Sequence, residues 1–331
     1  MTLLDLAGNR AETGAPPAES APVTPNHPAP AANYGVAILL LFTLATLWSL
    51  SYTFLKLTVA TIPPVTLTAV RMVLAGLLLV LWMRILGVPW PRDPTTRRQL
   101  AVQSMLNSVV PFTLIAWAQS QVEVNIAVIL SSTSPIFAFF ITWAITRHEP
   151  ATMRKLFGVI SGLTGICLIV GLSAFGGGGR DLVAQFALLG AALSYACSAI
   201  YGRRFDHLGP VAPSAVTLIT ASFLLVPASL IIDRPWTLSP STESMAALAA
   251  LSVFSTAIAY VIYFWLLRNL GSIGVTSQSY LRIPLGVMFG MIFFGEVLLA
   301  STWLGLAFVL VGVVAMTWPT RKAKPVDLPP A

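Results

Sequence analysis

The chain has 331 residues, of which 56% are hydrophobic and only 9% charged, with a formal net charge of +7 and a mean hydropathy of +0.82. A soluble domain carries about 25% charged residues, so a soluble fold is excluded: a chain of this size could not hide so much apolar surface. The positive charge lies in short loops between apolar blocks, where it acts as an orientation signal, and nucleic-acid binding is excluded because it needs a basic face on a soluble domain.

Residues 1–33 are rich in Ala and Pro with scattered charge. Such a stretch cannot bury enough to fold and is expected to be a disordered cytoplasmic tail. It lacks the basic, apolar and small-residue order of a signal peptide. A helix needs about 20 residues to cross the hydrocarbon core, and ten apolar blocks of that size follow: 35–59, 65–86, 98–118, 124–146, 152–173, 182–204, 211–232, 244–267, 273–294 and 299–318. Short connections make neighbouring helices antiparallel. The run Gly176 to Gly179 reads as a tether, and 319–331 as a basic cytoplasmic tail. Cys167 and Cys197 lie inside apolar blocks without metal-ligand spacing, and His27, His148 and His207 form no cluster, so neither a metal nor any other cofactor is expected.

The second five blocks copy the first five at an offset of 147 residues. Glu149, Gly158 and Gly165 recur as Glu296, Gly305 and Gly312; Pro63 recurs as Pro210, Lys56 as Arg203 and Trp48 as Tyr195. Five is odd, so a duplicated five-span unit inserts its second copy upside down. The predicted fold is an all-α integral membrane protein with ten transmembrane helices in two inverted five-helix repeats, 34–174 and 180–318. Inverted repeats of this kind build secondary transporters, with the substrate between the halves near the bilayer midplane.

Charge placement gives the orientation. With both termini cytoplasmic, the cytoplasmic segments hold fourteen Lys and Arg residues: Arg10, Arg84, Arg92, Arg97, Arg98, Arg147, Arg154, Lys155, Arg203, Arg204, Arg268, Arg321, Lys322 and Lys324. The other side holds two, Arg180 and Arg234, while Lys56, Arg71 and Arg282 fall within spans. The asymmetry obeys the positive-inside rule.

Each half ends with Glu, then Gly nine residues later and another Gly after seven, as in TRHEPATMRKLFGVISGLTGICLIVG and FFGEVLLASTWLGLAFVLVGVVAM. This pattern, over about 35 to 318, resembles the paired domain of the EamA family in the drug/metabolite transporter superfamily. The resemblance implies ten helices around a central cavity, lined mainly by spans one, three, four, six, eight and nine, with the last helix of each half peripheral. It says almost nothing of the substrate. The aromatic amino-acid exporters of the family carry bulky aromatics before the proline of span four; here that stretch is Ser131, Ser132, Thr133, Ser134 and Pro135.

Polar groups within a span are costly unless they face protein or water, so polar and aromatic residues sharing a helical face are the site candidates. Trp48, Tyr52 and Lys56 stack along span one at i, i+4 and i+8; they read as a ligand wall ending in an anion-binding amine, or as an aromatic belt with Lys56 snorkelling outward. In span three, Gln103 and Asn107 share a face, either toward a ligand or for helix-to-helix bonding. Spans four and nine each hold a polar cluster ending at a proline, with Ser131 and Ser134 in one and Gln278 and Arg282 in the other. Paired interruptions in equivalent spans point to a transporter site; close packing of small residues is the other reading.

Arg282 is the sharpest single residue, since no Asp or Glu lies at comparable depth and a forked guanidinium suits a carboxylate or phosphate. Span six adds Tyr195 and Ser198, and span eight adds Tyr260. Arg71, early in a less central span, is expected to snorkel or bond a loop. Glu149 and Glu296 are expected to be structural, favoured near a helix N-terminus by its dipole.

The residues thus indicate a secondary transporter, an exporter of small metabolites such as amino acids across the cell inner membrane by alternating access. A drug or organic-cation efflux carrier is the alternative, disfavoured because no buried acid is available to attract the cation. An intramembrane enzyme would need a nucleophile with a base, or a metal cluster, inside the spans; no span holds a His, and no Ser or Cys has a buried acidic partner. The expected partners are a small-molecule substrate and the lipid bilayer, with no nucleic acid, and a homo-oligomer is left open.

Overall fold

The computed structural model describes residues 34–141, 153–176, 179–209, 211–263, 265–266 and 278–317. The two tails, Glu149 and the centre of the glycine run lie outside them. Every regular element among the described residues is helical: α1 Tyr34–Val59, α2 Pro64–Ile85, α3 Pro94–Ser104, α4 Val110–Gln119, α5 Val124–Ser131, α6 Ser134–Ile141, α7 Met153–Gly176, α8 Gly179–Gly202, α9 Val211–Ile232, α10 Thr242–Ser252, α11 Gln278–Phe294 and α12 Ala300–Thr317.

Helix starts follow local chemistry. α2 opens on Pro64, whose missing N–H would have no partner in a first turn anyway. Asp93 caps α3 through the amides of Thr95 and Thr96, and Ser241 caps α10 through that of Ser244.

Six helical stretches are long and apolar enough to cross a membrane: Gly35–Val59, Pro64–Ile85, Pro94–Gln119, Asp181–Gly202, Val211–Ile232 and Thr242–Tyr263. Four shorter apolar helices, Val124–Ala138, Leu156–Ile169, Leu281–Phe294 and Ala300–Gly312, occupy the places of expected spans four, five, nine and ten.

Two of the long helices contain a π-helical turn, Met105–Val109 between α3 and α4 and Val253–Ile258 after α10. The two turns overlap at the 147-residue offset, so both halves widen their third span at the same depth. Such turns are rare and concentrate at functional sites.

The halves pack through equivalent helices. α2 lies antiparallel to α9: Thr66, near the start of α2, bonds Ser229 and Asp233, while Gly76, further along, meets Ile219. α7 and α12 cross just as closely. A Cβ on Gly312 would lie 2.6 Å from the Gly158 carbonyl, and one on Gly165 would lie 2.6 Å from that of Gly305. Only a residue without a side chain lets the backbones approach this far. The pairing is reciprocal, because Gly305 and Gly312 are the repeat partners of Gly158 and Gly165. The outer flanks of this pair stay exposed through Leu156, Phe157 and Ile160 on α7 and Trp303, Leu304 and Phe308 on α12. The main buried apolar cluster draws on helices of both halves, from Leu55 of α1 and Val128 of α5 to Leu251 of α10 and Val287 of α11.

Candidate functional site

Expected span four is not one continuous helix. α5 ends at Ser131, the chain turns at Ser132 and Thr133, and α6 begins at Ser134. The hydroxyls of the broken stretch fold back onto carbonyls of the last α5 turn: Ser131 Oγ to Ala127 O at 2.6 Å, Ser132 Oγ to Val128 O at 2.7 Å and Thr133 Oγ1 to Leu130 O at 2.6 Å. These bonds turn the hydroxyls back onto their own helix, where the Val128 and Leu130 carbonyls also accept the amides of Ser132 and Thr133. Span nine differs. From Gln278 onward α11 runs helically through Pro284, so the paired interruption expected at the two prolines is, among the described residues, a break in span four alone.

The break is met from two sides. Ser131 has donated its one proton to Ala127, so the Tyr52 hydroxyl, 2.6 Å away, donates to it. Ser132 likewise accepts from Arg282 Nη2 at 2.8 Å. Arg282 occupies the repeat position of Pro135, and its carbonyl accepts from Ser49 Oγ of α1 at 2.9 Å. Its buried Nε has no partner among the described residues. Gln278, the repeat partner of Ser131, opens α11 and is buried.

A second polar chain links the third span of the first half to the second half. Gln103 donates to Ser198 Oγ at 2.9 Å, Ser198 donates to Asn107 Oδ1 at 3.1 Å, and Asn107 Nδ2 donates to the Tyr260 hydroxyl at 3.2 Å. Asn107 lies in one π-turn, and Tyr260 lies two residues past the other. Tyr195 meets Phe112 edge-on with ring centres 6.3 Å apart, and its hydroxyl has no hydrogen-bond partner among the described residues.

Arg71 is where sequence reasoning fell short. It is expected to snorkel, but only 6% of it is exposed and it points inward. Its guanidinium stacks over the Phe112 ring at 4.2 Å, and Nε donates to Thr256 Oγ1, in the π-turn of the second half, at 2.8 Å. Arg71 lies seven residues into α2, about 10 Å at 1.5 Å per residue; that depth, counted from Pro64, was the legible signal.

Two of the remaining expected site residues, Trp48 and Lys56, have partners of their own. Trp48 packs against Tyr263 with ring centres 5.5 Å apart, in an apolar cluster with Leu44, Ala259 and Leu266. Ser134 starts α6. Lys56 reaches the C-terminal end of α4, where Nζ donates to the carbonyls of Gln119 at 3.1 Å and Val122 at 2.9 Å, a favourable place for a cation.

Around Lys56 the halves are tied at one end of the molecule. Glu296, expected to serve its own final helix, instead caps α5 of the other half: its carboxylate oxygens accept from Val124 N at 2.6 Å and Asn125 N at 2.9 Å. Asp233, just past α9, does the same for α2, accepting from Thr66 N at 2.7 Å. Ser244 Oγ donates to the Leu57 carbonyl at 2.8 Å. At this end Glu123 has its carboxyl pushed above the usual range, by burial first and then by the charge of Glu296, with Lys56 opposing both.

The arrangement is a polar interior with two guanidinium groups and three tyrosines between the halves, and a band of cross-half bonds at one end. Among the described residues no group of His, Cys, Asp and Glu could hold a metal ion.

Known proteins place this geometry in a family. The model of the EamA-like transporter family matches residues 35–171 and again 182–318. The chain is 28% identical over 294 residues to an uncharacterized inner membrane transporter of Escherichia coli K12, YedA, covering 87% of this chain and 94% of that protein. It is 20% identical over 280 residues to the uncharacterized transporter YoaV of Bacillus subtilis, covering 84% and 95%. A solved crystal structure shares the fold at a TM-score of 0.62 and 16% identity, covering 85% of this chain and 96% of that one. With both halves matched, the chain belongs to the EamA-like transporter family and is a membrane transporter.

Proposed function

We propose that this protein is an inner-membrane exporter of small metabolites bearing a carboxylate or a similar anionic group, amino acids and their relatives among them, working by alternating access. In this reading all ten apolar segments span the bilayer as two inverted five-helix repeats, both termini are cytoplasmic, and the substrate sits between the halves. The observation that carries it is the pair of guanidinium groups, Arg71 and Arg282, held against hydroxyls and an aromatic ring, with no carboxylate partner among the described residues. A buried cation without an acid is costly, and an anionic substrate offsets that cost while it is bound.

The reciprocal antiparallel pairing of α7 with α12 supports the inverted arrangement, since a twofold axis in the membrane plane relates two such helices. The cross-half bonds of Asp233, Ser244 and Glu296 close the outer end, and alternating access requires them to break and re-form. The break at Ser132 and Thr133 and the two π-turns are the places where short helix segments can tilt without losing many backbone bonds.

The test is counterflow of labelled solutes in proteoliposomes, with everted vesicles for direction. Exchange of carboxylates, and uptake into everted vesicles, supports the reading. Exchange confined to quaternary amines would assign the chain to cation efflux.

A further inference from the structure

Arg71 and Arg282 come from different halves, and each has its fork only partly used. Arg71 spends Nε on Thr256, and Arg282 spends Nη2 on Ser132. Among the described residues the two terminal nitrogens of Arg71 and Nη1 of Arg282 have no acceptor, and neither guanidinium has a carboxylate in salt-bridge range. Tyr195 meets edge-on the Phe112 ring over which Arg71 is stacked, and it packs against the cluster that holds Tyr52 and Ile283, the chain neighbour of Arg282. Among the described residues the buried acid is Glu296, and it is occupied elsewhere by the α5 amides.

A zwitterion or a monoanion in this space neutralises at most one of the two cations and leaves the other desolvated. Two anionic groups on one solute neutralise both. A planar fork with free donors also matches carboxylate and phosphate oxygens in a way that a point charge does not.

Building on the proposed transport function, we infer that Arg71 and Arg282 form a two-ended anion site, and that the substrate is a small organic dianion, with one anionic group on each guanidinium and its middle against Tyr195. The chemistry required is two separate anionic groups at the ends of a short carbon skeleton, as in a dicarboxylate. Binding joins Arg71 of the first half, held by the π-turn of the second, to Arg282 of the second half, held by the broken helix of the first. A dianion therefore draws together the elements that must move, and a singly charged solute engages only one of them.

The experiment uses the full chain in proteoliposomes and pairs solutes that differ in one charge: succinate with butyrate, malate with 3-hydroxybutyrate, and alanine as a zwitterion. The readout is the ratio of exchange within each pair, which does not depend on how much of a variant folds. Succinate or malate is expected to exchange about tenfold or more faster than its partner. Arg71→Gln and Arg282→Gln each lower that ratio by a similar factor, and Arg71→Lys restores part of it. Exchange of alanine or butyrate in preference to every dianion overturns the two-ended site and leaves the carrier reading standing. So does a ratio unmoved by either glutamine variant. Absence of exchange of any solute by folded protein overturns the carrier reading itself.

Discussion

Glu296 accepts the backbone amide of Val124 at 2.6 Å, and these two residues are separated by 172 positions in the chain. The bond places a carboxylate of the second half at the positive end of α5, a helix of the first, where the dipole and the free amides of the first turn favour a negative charge. With Asn125 N on its second oxygen, Glu296 satisfies two donors that have no other place to go.

Glu296→Ala leaves both amides without an acceptor in a buried setting, at a cost of about 1–3 kcal/mol. The melting temperature of the purified protein in detergent should fall clearly, and Glu296→Gln, which keeps one acceptor and drops the charge, should lie between the variant and the parent. Equal melting temperatures for all three would mean the cap carries no energy.

Lys56→Met keeps the apolar stem and removes the ammonium that serves the carbonyls of Gln119 and Val122. A lowered melting temperature is expected, with the KM of any transported solute within about twofold of the parent, because the amine is engaged by backbone. A KM that rises tenfold at unchanged stability would return Lys56 to the substrate wall.

Gly312→Ala forces a methyl into the Gly158 carbonyl, a backbone atom that cannot turn aside. Overpacking of this kind costs about 1–3 kcal/mol. Gly165→Ala should behave alike, because it occupies the reciprocal place in the same helix pair. Separation of α7 from α12 would be read as a lower melting temperature in both variants.

Tyr52→Phe keeps the ring and removes the proton donated to Ser131. The expected stability loss is about 1 kcal/mol, and transport should weaken because the broken stretch between α5 and α6 loses its hold on α1. Urea or thermal unfolding gives the first quantity and counterflow the second.

Asp93 caps α3 in solvent, and its bonds to Thr96, foremost that from the hydroxyl, hold the carboxyl below the usual aspartate range. A depressed carboxyl contributes stability above its unfolded pKa and loses it as pH falls through the folded value. The melting temperature of the parent should therefore drop on acidification below about pH 4 by more than that of Asp93→Ala. Parallel curves would remove Asp93 from the pH dependence.

Much of this was legible in the residues. Apolar runs of about 20 residues specify membrane helices because lipid offers no partner for backbone groups, and the shared offset of Glu149 with Glu296 and Gly165 with Gly312 exposes two equivalent halves. Tyr52, Asn107, Ser198, Tyr260 and Arg282 could be chosen as polar groups on helical faces, and the structure brings them to the boundary between the halves. Span four could be marked as interrupted from its SSTSP run.

Partner choice was not legible. Periodicity says which face of a helix is polar but not which helix it meets, so Arg71 read as a snorkelling residue although it stacks on Phe112, and Glu296 read as the servant of its own helix although it caps another. Lys56 looked like a free amine until the end of α4 came beside it. The sequence by itself determined the number of apolar segments, their duplication and the scarcity of acids among them. The tertiary structure decided which buried charges are satisfied and which still offer donors, because those pairings join residues 63 to 185 positions apart and depend on how the helices dock.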